Sequence, residues 1–291
     1  MRPQMVSANS RTPASVSEMQ KPVLGQAPQS EGNEMSLIYE PKGKAREYSP
    51  LALNVYSGGC DHRCEYCYCS GVMRGAWGDK PRPRNLAALD KEAAAASRQI
   101  LLCFMSDPYC AAEQSHRKTR EALQTLRKHG CSVAILTKGG RRCLDDLDLF
   151  EGWPDGRIKV GATLTFNSSS LSREWEPGAA DPGERVETLK ALKNAGIKTW
   201  ASIEPVIIAS ESLAIIEASL PYVDAYKVGK WNHDSRAVGT DWAAFGLAAV
   251  EMIRAAGKGL YVKNDLLPFF PPGYLTEKES DMSALELPQR P

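Results

Sequence analysis

The sequence predicts an α/β protein, a partial (β/α)6 TIM-like barrel preceded by a disordered leader. Three observations carry this. Short β-forming runs alternate with helix formers from residue 51 onward, the pattern of β/α units around a parallel sheet. Six or seven such units lead off from one loop, which suits a partial or full barrel better than a doubly wound sheet. No GxGxxG follows the first strand, which weakens a dinucleotide-binding reading.

Taken in order, residues 1–35 are rich in Ser, Pro, Gln and Asn without periodicity and are expected to form the disordered leader. The barrel domain is expected over 36–266. LALNVY (51–56) is its first strand and runs directly into a cysteine-rich loop. NLAALDKEAAAASRQ (85–99) is a helix former and ILLCFM (100–105) a strand. SHRKTREALQTLRKHG (115–130) is an amphipathic helix, with Gly130 as its stop. Strands follow at 131–137, 157–166, 197–206, 223–230 and 259–266. Helices are expected at 144–150, 183–196, 211–220 and 240–257, the last capped by Thr240 or Asp241. The tail, 267–291, is Pro-rich and then polar, and is expected to wrap the surface or stay disordered.

Composition bounds the function. The chain has 291 residues, 24% of them charged, with a net charge of +1. That average makes no case for a nucleic-acid partner by itself, although a local basic patch would. No apolar run is long enough to span a bilayer, and the first twenty residues lack the apolar stretch of a secretory signal. Eight cysteines without such a signal point to a reducing cytoplasm and to metal ligation, chemistry or burial, not to a disulfide scaffold.

Four of those cysteines crowd into GCDHRCEYCYCSG (59–71): Cys60, Cys64, Cys67 and Cys69. The spacing is C-x3-C-x2-C-x-C. Three thiolates so close converge on one small ion or cluster. A structural zinc site is one reading, with Cys69 or His62 as fourth ligand, but Cys67 and Cys69 flank a single residue, an awkward spacing for one tetrahedral ion. A four-iron cluster is the other: three protein thiolates leave one iron open to an outside ligand.

CDHRCEYC resembles the C-x3-C-x2-C signature of the radical S-adenosylmethionine (SAM) superfamily, with an aromatic before the third cysteine. SDPYCAAE (106–113), ILTKGG (135–140), TLTF (163–166), WEP (175–177), SIEP (202–205) and KVGKWN (227–232) follow in order, and with the loop they resemble the spore photoproduct lyase-like group over roughly residues 50–266. The resemblance implies a partial barrel of the radical SAM type. It implies that Cys60, Cys64 and Cys67 ligate a [4Fe–4S] cluster and that SAM chelates the fourth iron. Reductive cleavage of SAM then gives a 5′-deoxyadenosyl radical that abstracts a substrate hydrogen. Tyr66 is expected beside the cluster, packing near the adenine or closing the cluster from water.

In barrels the chemistry lies just past the strand ends. Ser106 and Asp107 are expected to meet the amine of SAM, with a helix cap before Pro108 as the competing role. Lys138 is expected to pair with the carboxylate of SAM, as a lysine of a similar segment does in the lyase group; a solvated lysine before a Gly-Gly turn is the alternative. Thr163 and Thr165 alternate on one face of their strand, so either could bond the cofactor, or both serve β-propensity alone. Glu204 could hold ribose hydroxyls or a substrate group. Lys227 and Lys230, with Trp231, Asn232, His233, Lys263 and Asn264, are candidates for the substrate mouth.

Cys69 falls outside the three-thiol signature and is expected as a buried neighbour. In the lyase group a cysteine before the Ser-Asp pair gives a hydrogen atom to the product radical; its place falls at Phe104, one residue from Cys103. A one-residue offset on a strand reverses the face, which would turn Cys103 outward and leave Cys110 to reach the cavity. These two are the catalytic candidates.

The reaction expected is lyase-type chemistry on a modified nucleic acid. A metabolite or peptide substrate, or a non-catalytic iron–sulfur or zinc protein, are the other readings. Basic clusters at Lys42, Lys44 and Arg46, at Arg74, Lys80, Arg82 and Arg84, and at Arg141 and Arg142 form a footprint only if they share a face. The expected partner is a reducing donor such as flavodoxin or ferredoxin, with no membrane, and the expected state is a monomer.

Overall fold

The computed structural model describes residues 36–290 apart from Arg74 and His233; the expected leader lies outside the described residues. Its strands are β1 (Ile38–Tyr39), β2 (Leu51–Leu53), β3 (Tyr56–Ser57), β4 (Arg82–Pro83), β5 (Ile100–Leu102), β6 (Val133–Thr137), β7 (Ile158–Thr163), β8 (Lys198–Ile203), β9 (Ala225–Val228) and β10 (Gly259–Val262). The helices are α1 (Cys69–Val72), α2 (Leu89–Ala95), α3 (Glu113–His116), α4 (Lys118–Lys128), α5 (Leu147–Glu151), α6 (Ser169–Trp175), α7 (Pro182–Asn194), α8 (Ala209–Ser219), α9 (Trp242–Ala255) and α10 (Glu277–Ser280).

Eight strands form one sheet in the order β1-β2-β5-β6-β7-β8-β9-β10. All neighbours are parallel except β1, which pairs antiparallel with β2. From β2 onward spatial order follows chain order, and helices fill each crossover. A doubly wound sheet would reverse direction at a switch point; this one never does, so the expected partial barrel holds, with six β/α crossovers and a seventh parallel strand.

Alternation along the strands sorts the core. Ile100, Leu102, Val133 and Ile135 face α2 and α4 in one outer cluster. Ala201, Ile203, Tyr226, Val228, Leu260 and Val262 face α8 and α9 in another. Leu101, Ala134 and Trp200 point into the barrel, with Tyr48, Phe104 and Leu136 packed on them. The inward face of the later strands is polar instead: Lys159, Ser202, Lys227 and Lys263 are all buried.

Local chemistry fixes the boundaries. The helix expected at 115–130 is broken at Arg117, whose φ of 50° separates α3 from α4. Gly130 does end α4, with φ 62° and the Cys131 N–H returning to the Leu126 carbonyl. Of the two caps proposed for the last long helix, Asp241 serves, accepting the Ala244 N–H at 3.0 Å. The stretch 169–175, for which the sequence predicts no element, is α6, capped by Ser168. The tail does not hang free: α10 carries a Thr276/Glu279 capping box. Beyond it, the Leu287 N–H donates to Gln99 at 3.0 Å, under the start of β5.

Candidate active site

The loop after β3 is set by close backbone approaches. A Cβ on Gly59 would stand 2.5 Å from the Gly78 carbonyl oxygen, and the Cys60 N–H donates to that same carbonyl at 3.1 Å. Ser106 donates its hydroxyl to the Gly59 carbonyl at 2.5 Å, and Asp61 accepts the Ala111 N–H at 2.6 Å. The far side is gripped by the segment after α6: Glu65 N–H to Trp175 O at 2.9 Å and Gly178 N–H to His62 O at 3.0 Å.

Cys60, Cys64 and Cys67 are half-buried, free thiols on the wall of one cavity of about 820 Å³ at the C-terminal end of the strands. That is ample for a cofactor and part of a substrate. Among the described residues no three His, Cys, Asp or Glu side chains gather around a point as one metal ion requires. Such a gathering is not required of a multi-iron cluster, whose ligands are spread over separate irons.

Their electrostatics differ. Burial and then Asp107 push the Cys60 thiol up to about 12. Burial raises Cys64 to about 11 against the pull of Lys138. A hydrogen bond from Cys69, opposed by burial and aided by Lys138, lowers Cys67 to about 6. Cys69 itself is buried at the start of α1, its sulfur 3.7 Å from the Met105 carbonyl. It is the expected neighbour.

Strand ends supply the rest of the cavity wall. Lys138, one residue past β6, has its ammonium 5.5 Å from the centre of the Tyr66 ring. Burial alone would lower its pKa, but its neighbours Cys64 and Glu176 outweigh burial and raise it. Thr163 ends β7 and lines the cavity; Thr165 does not, because its hydroxyl turns to Glu176 at 3.3 Å. Glu204, one past β8, accepts from Tyr48 at 2.7 Å, from Asn232 at 3.2 Å and from Lys263. Lys263 in turn lies 4.2 Å over the Tyr48 ring. Lys230 lines the cavity as well.

Several expectations need correction. Lys227 is not at the mouth. It points into the barrel below, fully buried, and donates to the Glu47 carbonyl at 2.5 Å and the Tyr48 carbonyl at 3.1 Å. Cys110 does not reach the cavity; it is fully buried in the outer core. Cys103 packs in the same outer core but touches the cavity edge, while Phe104 takes the interior place beside Tyr48, ring centres 5.9 Å apart. Asp107 caps no helix at Pro108. It accepts the Tyr109 N–H at 2.8 Å, the Thr137 hydroxyl at 2.6 Å and the Lys138 N–H at 2.7 Å, tying the ends of β5 and β6 together.

Three residues at the site carried no sequence expectation of their own. Tyr48 comes from the turn before β2 and stands inside the barrel mouth. Glu176 and Arg185 form an ion pair at 2.5 Å with side chains only 0% and 1% exposed. Glu176 also accepts the Tyr66 hydroxyl. The WEP triplet marked Glu176 as part of a pattern, but nothing local in the sequence pointed to its partners.

Comparison with known proteins agrees with this geometry. A family model described as the radical SAM superfamily matches residues 54–220, more than half of the 291. An uncharacterised protein of Methanocaldococcus jannaschii is 32% identical over 160 residues, 53% of this chain and 60% of that protein. An uncharacterised protein of Acidianus two-tailed virus is 26% identical over 184 residues, 57% of this chain and 60% of its own length. The chain thus spans less than two thirds of these relatives. Among solved structures, spore photoproduct lyase complexed with dinucleoside spore photoproduct superposes with a TM-score of 0.61 at 14% identity, covering 80% of each chain. Streptococcus suis SuiB bound to S-adenosylmethionine superposes with a TM-score of 0.58 at 13% identity, over 79% of this chain and 54% of that one. The cysteine loop and every strand from β5 to β8 lie inside the matched span, and the chain belongs to the radical SAM superfamily.

Proposed function

We propose that this chain is a radical SAM enzyme of the spore photoproduct lyase-like group that abstracts hydrogen from a modified nucleic acid. The observation that carries the reading is the cavity at the strand ends. Its inner wall holds Cys60, Cys64 and Cys67, and its rim presents Lys42, Lys44, Arg63 and Lys230 beside the acids Glu65 and Asp79, with Lys44 paired to Asp265 at 2.8 Å. Cys60, Cys64 and Cys67 would hold a [4Fe–4S] cluster, which would supply the one electron that splits SAM into methionine and a 5′-deoxyadenosyl radical. The chain's own residues bind and orient. Lys138 offers a protonated ammonium to a carboxylate beside Cys64. Asp107 lines the amine side with the one lone-pair site left over from its three internal bonds, His62 Nδ1 standing 3.5 Å from the same carboxylate. Tyr66 and Thr163 wall the adenosyl side, and Glu204 marks the polar floor. The rim cations suit phosphate, which gives affinity without sequence information.

The test is anaerobic reconstitution with iron and sulfide, then dithionite and SAM. About four irons per chain and release of 5′-deoxyadenosine are expected. Deuterium transfer into 5′-deoxyadenosine from a labelled oligonucleotide, with binding that weakens steeply in salt, supports the substrate class. Transfer from a peptide alone, which likeness to Streptococcus suis SuiB bound to precursor peptide SuiA would favour, overturns the nucleic-acid reading and leaves the radical chemistry standing.

A further inference from the structure

We infer that the buried Glu176–Arg185 pair is a positioning device for the cysteine loop, acting through the Tyr66 hydroxyl. The inference rests on reading that loop as the cluster loop, but its physical content is a property of the protein alone.

The residues from Trp175 to Arg185 form a buckle across two parts of the site, the cysteine loop and the Lys138 strand end. On one side the buckle takes the Glu65 N–H at Trp175 (2.9 Å) and gives the Gly178 N–H to His62 (3.0 Å). On the other, the Ala180 N–H donates to the Lys138 carbonyl at 2.9 Å. A Cβ on Gly178 would sit 2.0 Å from the Asp61 carbonyl oxygen, so this approach admits only glycine. The cysteine loop and the Lys138 strand end are therefore fastened to the same short segment.

Glu176 is the pin. One carboxylate oxygen accepts the Tyr66 hydroxyl and the Thr165 hydroxyl; the other accepts Ser172 at 3.2 Å and Arg185 at 2.5 Å. Arg185 then donates two more of its N–H groups to backbone, reaching the Ala180 carbonyl at 2.8 Å and the Thr163 carbonyl at 3.0 Å. Every bond the carboxylate makes is to a group that belongs to the site or carries it. A buried pair contributes little stability over a well-packed apolar substitute. What this one supplies is register: it sets the Tyr66 ring, and with it Cys64 and Cys67, against the end of β7. The Tyr66 ring face then meets the Lys138 ammonium at 5.5 Å.

Tyr66→Phe removes only the tie, since Glu176 keeps Arg185, Ser172 and Thr165. The experiment is alkylation of the apo protein by iodoacetamide, followed thiol by thiol by mass spectrometry. Loss of a charge-assisted buried hydrogen bond shifts local opening by about tenfold or more. Cys64 and Cys67 should therefore react about tenfold faster in Tyr66→Phe, while Cys131, buried in the outer core, keeps its wild-type rate. Glu176→Gln should produce the same selective change or a larger one. In reconstituted protein both variants should release iron faster to a chelator. Unchanged Cys64 and Cys67 rates in Tyr66→Phe overturn the inference. So does a parallel rise at Cys131, which would make the pair an ordinary fold contact. Neither outcome depends on whether SAM is cleaved, so the inference and the proposed function fail separately.

Discussion

At the scale of single residues, Lys138 is the sharpest point of the site. It is a buried ammonium beside Cys64 and the Glu176 carboxylate, which raise its pKa against the effect of burial. Lys138→Met should weaken SAM binding about tenfold to a hundredfold, the loss of one charge-assisted bond. Calorimetric titration of the reconstituted protein reads it, and an unchanged Kd would remove Lys138 from the cofactor's carboxylate. The cysteines separate in the same way. Alanine at Cys60, Cys64 or Cys67 should abolish stable iron loading, whereas Cys69→Ala should keep about four irons per chain, because Cys69 falls outside the C-x3-C-x2-C spacing and its sulfur lies 3.7 Å from the Met105 carbonyl. An iron count that falls equally in all four variants would make Cys69 a ligand. These thiols were legible in the sequence because their spacing is local. Tyr48 was not: its hydroxyl bonds Glu204 at 2.7 Å, 156 residues away, and only the closing of the barrel brings the two together. The same holds for Tyr66 and Glu176, 110 residues apart.

At the scale of elements, hydrophobic periodicity located the strands and long helices, since burial on one face is written into each segment. It could not locate the breaks. Arg117 interrupts a continuous amphipathic pattern because the Glu113 side chain accepts the Thr119 N–H at 2.9 Å and starts α4 afresh. Lys227 was misplaced for a related reason: alternation told which residues share a face, but the polar interior of β7 to β10 looks from sequence like a solvated mouth. Cys110 sits in a turn whose burial depends on α3 and α4 folding over it. The connection after α6 is the element on which the site depends most, and Gly178 is its tightest point. Gly178→Ala places a methyl against backbone at Asp61 and His62, neither of which can rotate away. The expected cost is about 1–3 kcal/mol of overpacking, seen as a lower melting temperature together with faster iron loss from the reconstituted protein. A variant that melts like wild type and holds iron equally well would mean the loop accommodates the methyl freely.

At the scale of the whole molecule the barrel is asymmetric: its strand ends open into the cavity, and its other end is plugged. Residues after α10 run beneath the sheet. Ser132, just before β6, donates to the Pro288 carbonyl, the Arg290 N–H bonds the Ser97 carbonyl at 3.0 Å, and Leu287 is buried. The plug is what buries Lys159, which rises through β7 to the Leu285 carbonyl and lies 5.6 Å over the Trp200 ring. Burial lowers its pKa to about 8, against the attraction of Glu286 and with slight help from Lys198. An unfolded lysine titrates near 10.4. Below pH 8 both states hold the proton, so the full cost of burying the ammonium is present. Between about pH 8 and 10.4 the unfolded chain binds more protons and stability rises with pH. Over that window the shift is worth about 3 kcal/mol. Lys159→Met should therefore gain less stability than wild type between pH 7 and pH 10, by about that amount, in denaturant melts at the two pH values. Ending the chain at Ser280 should abolish the same pH-dependent gain by letting water reach Lys159, and should also lower overall stability by exposing the apolar surface under Leu287. If the truncated protein keeps the wild-type pH profile, the tail is not what buries Lys159, and the lower end of the barrel closes on its own side chains.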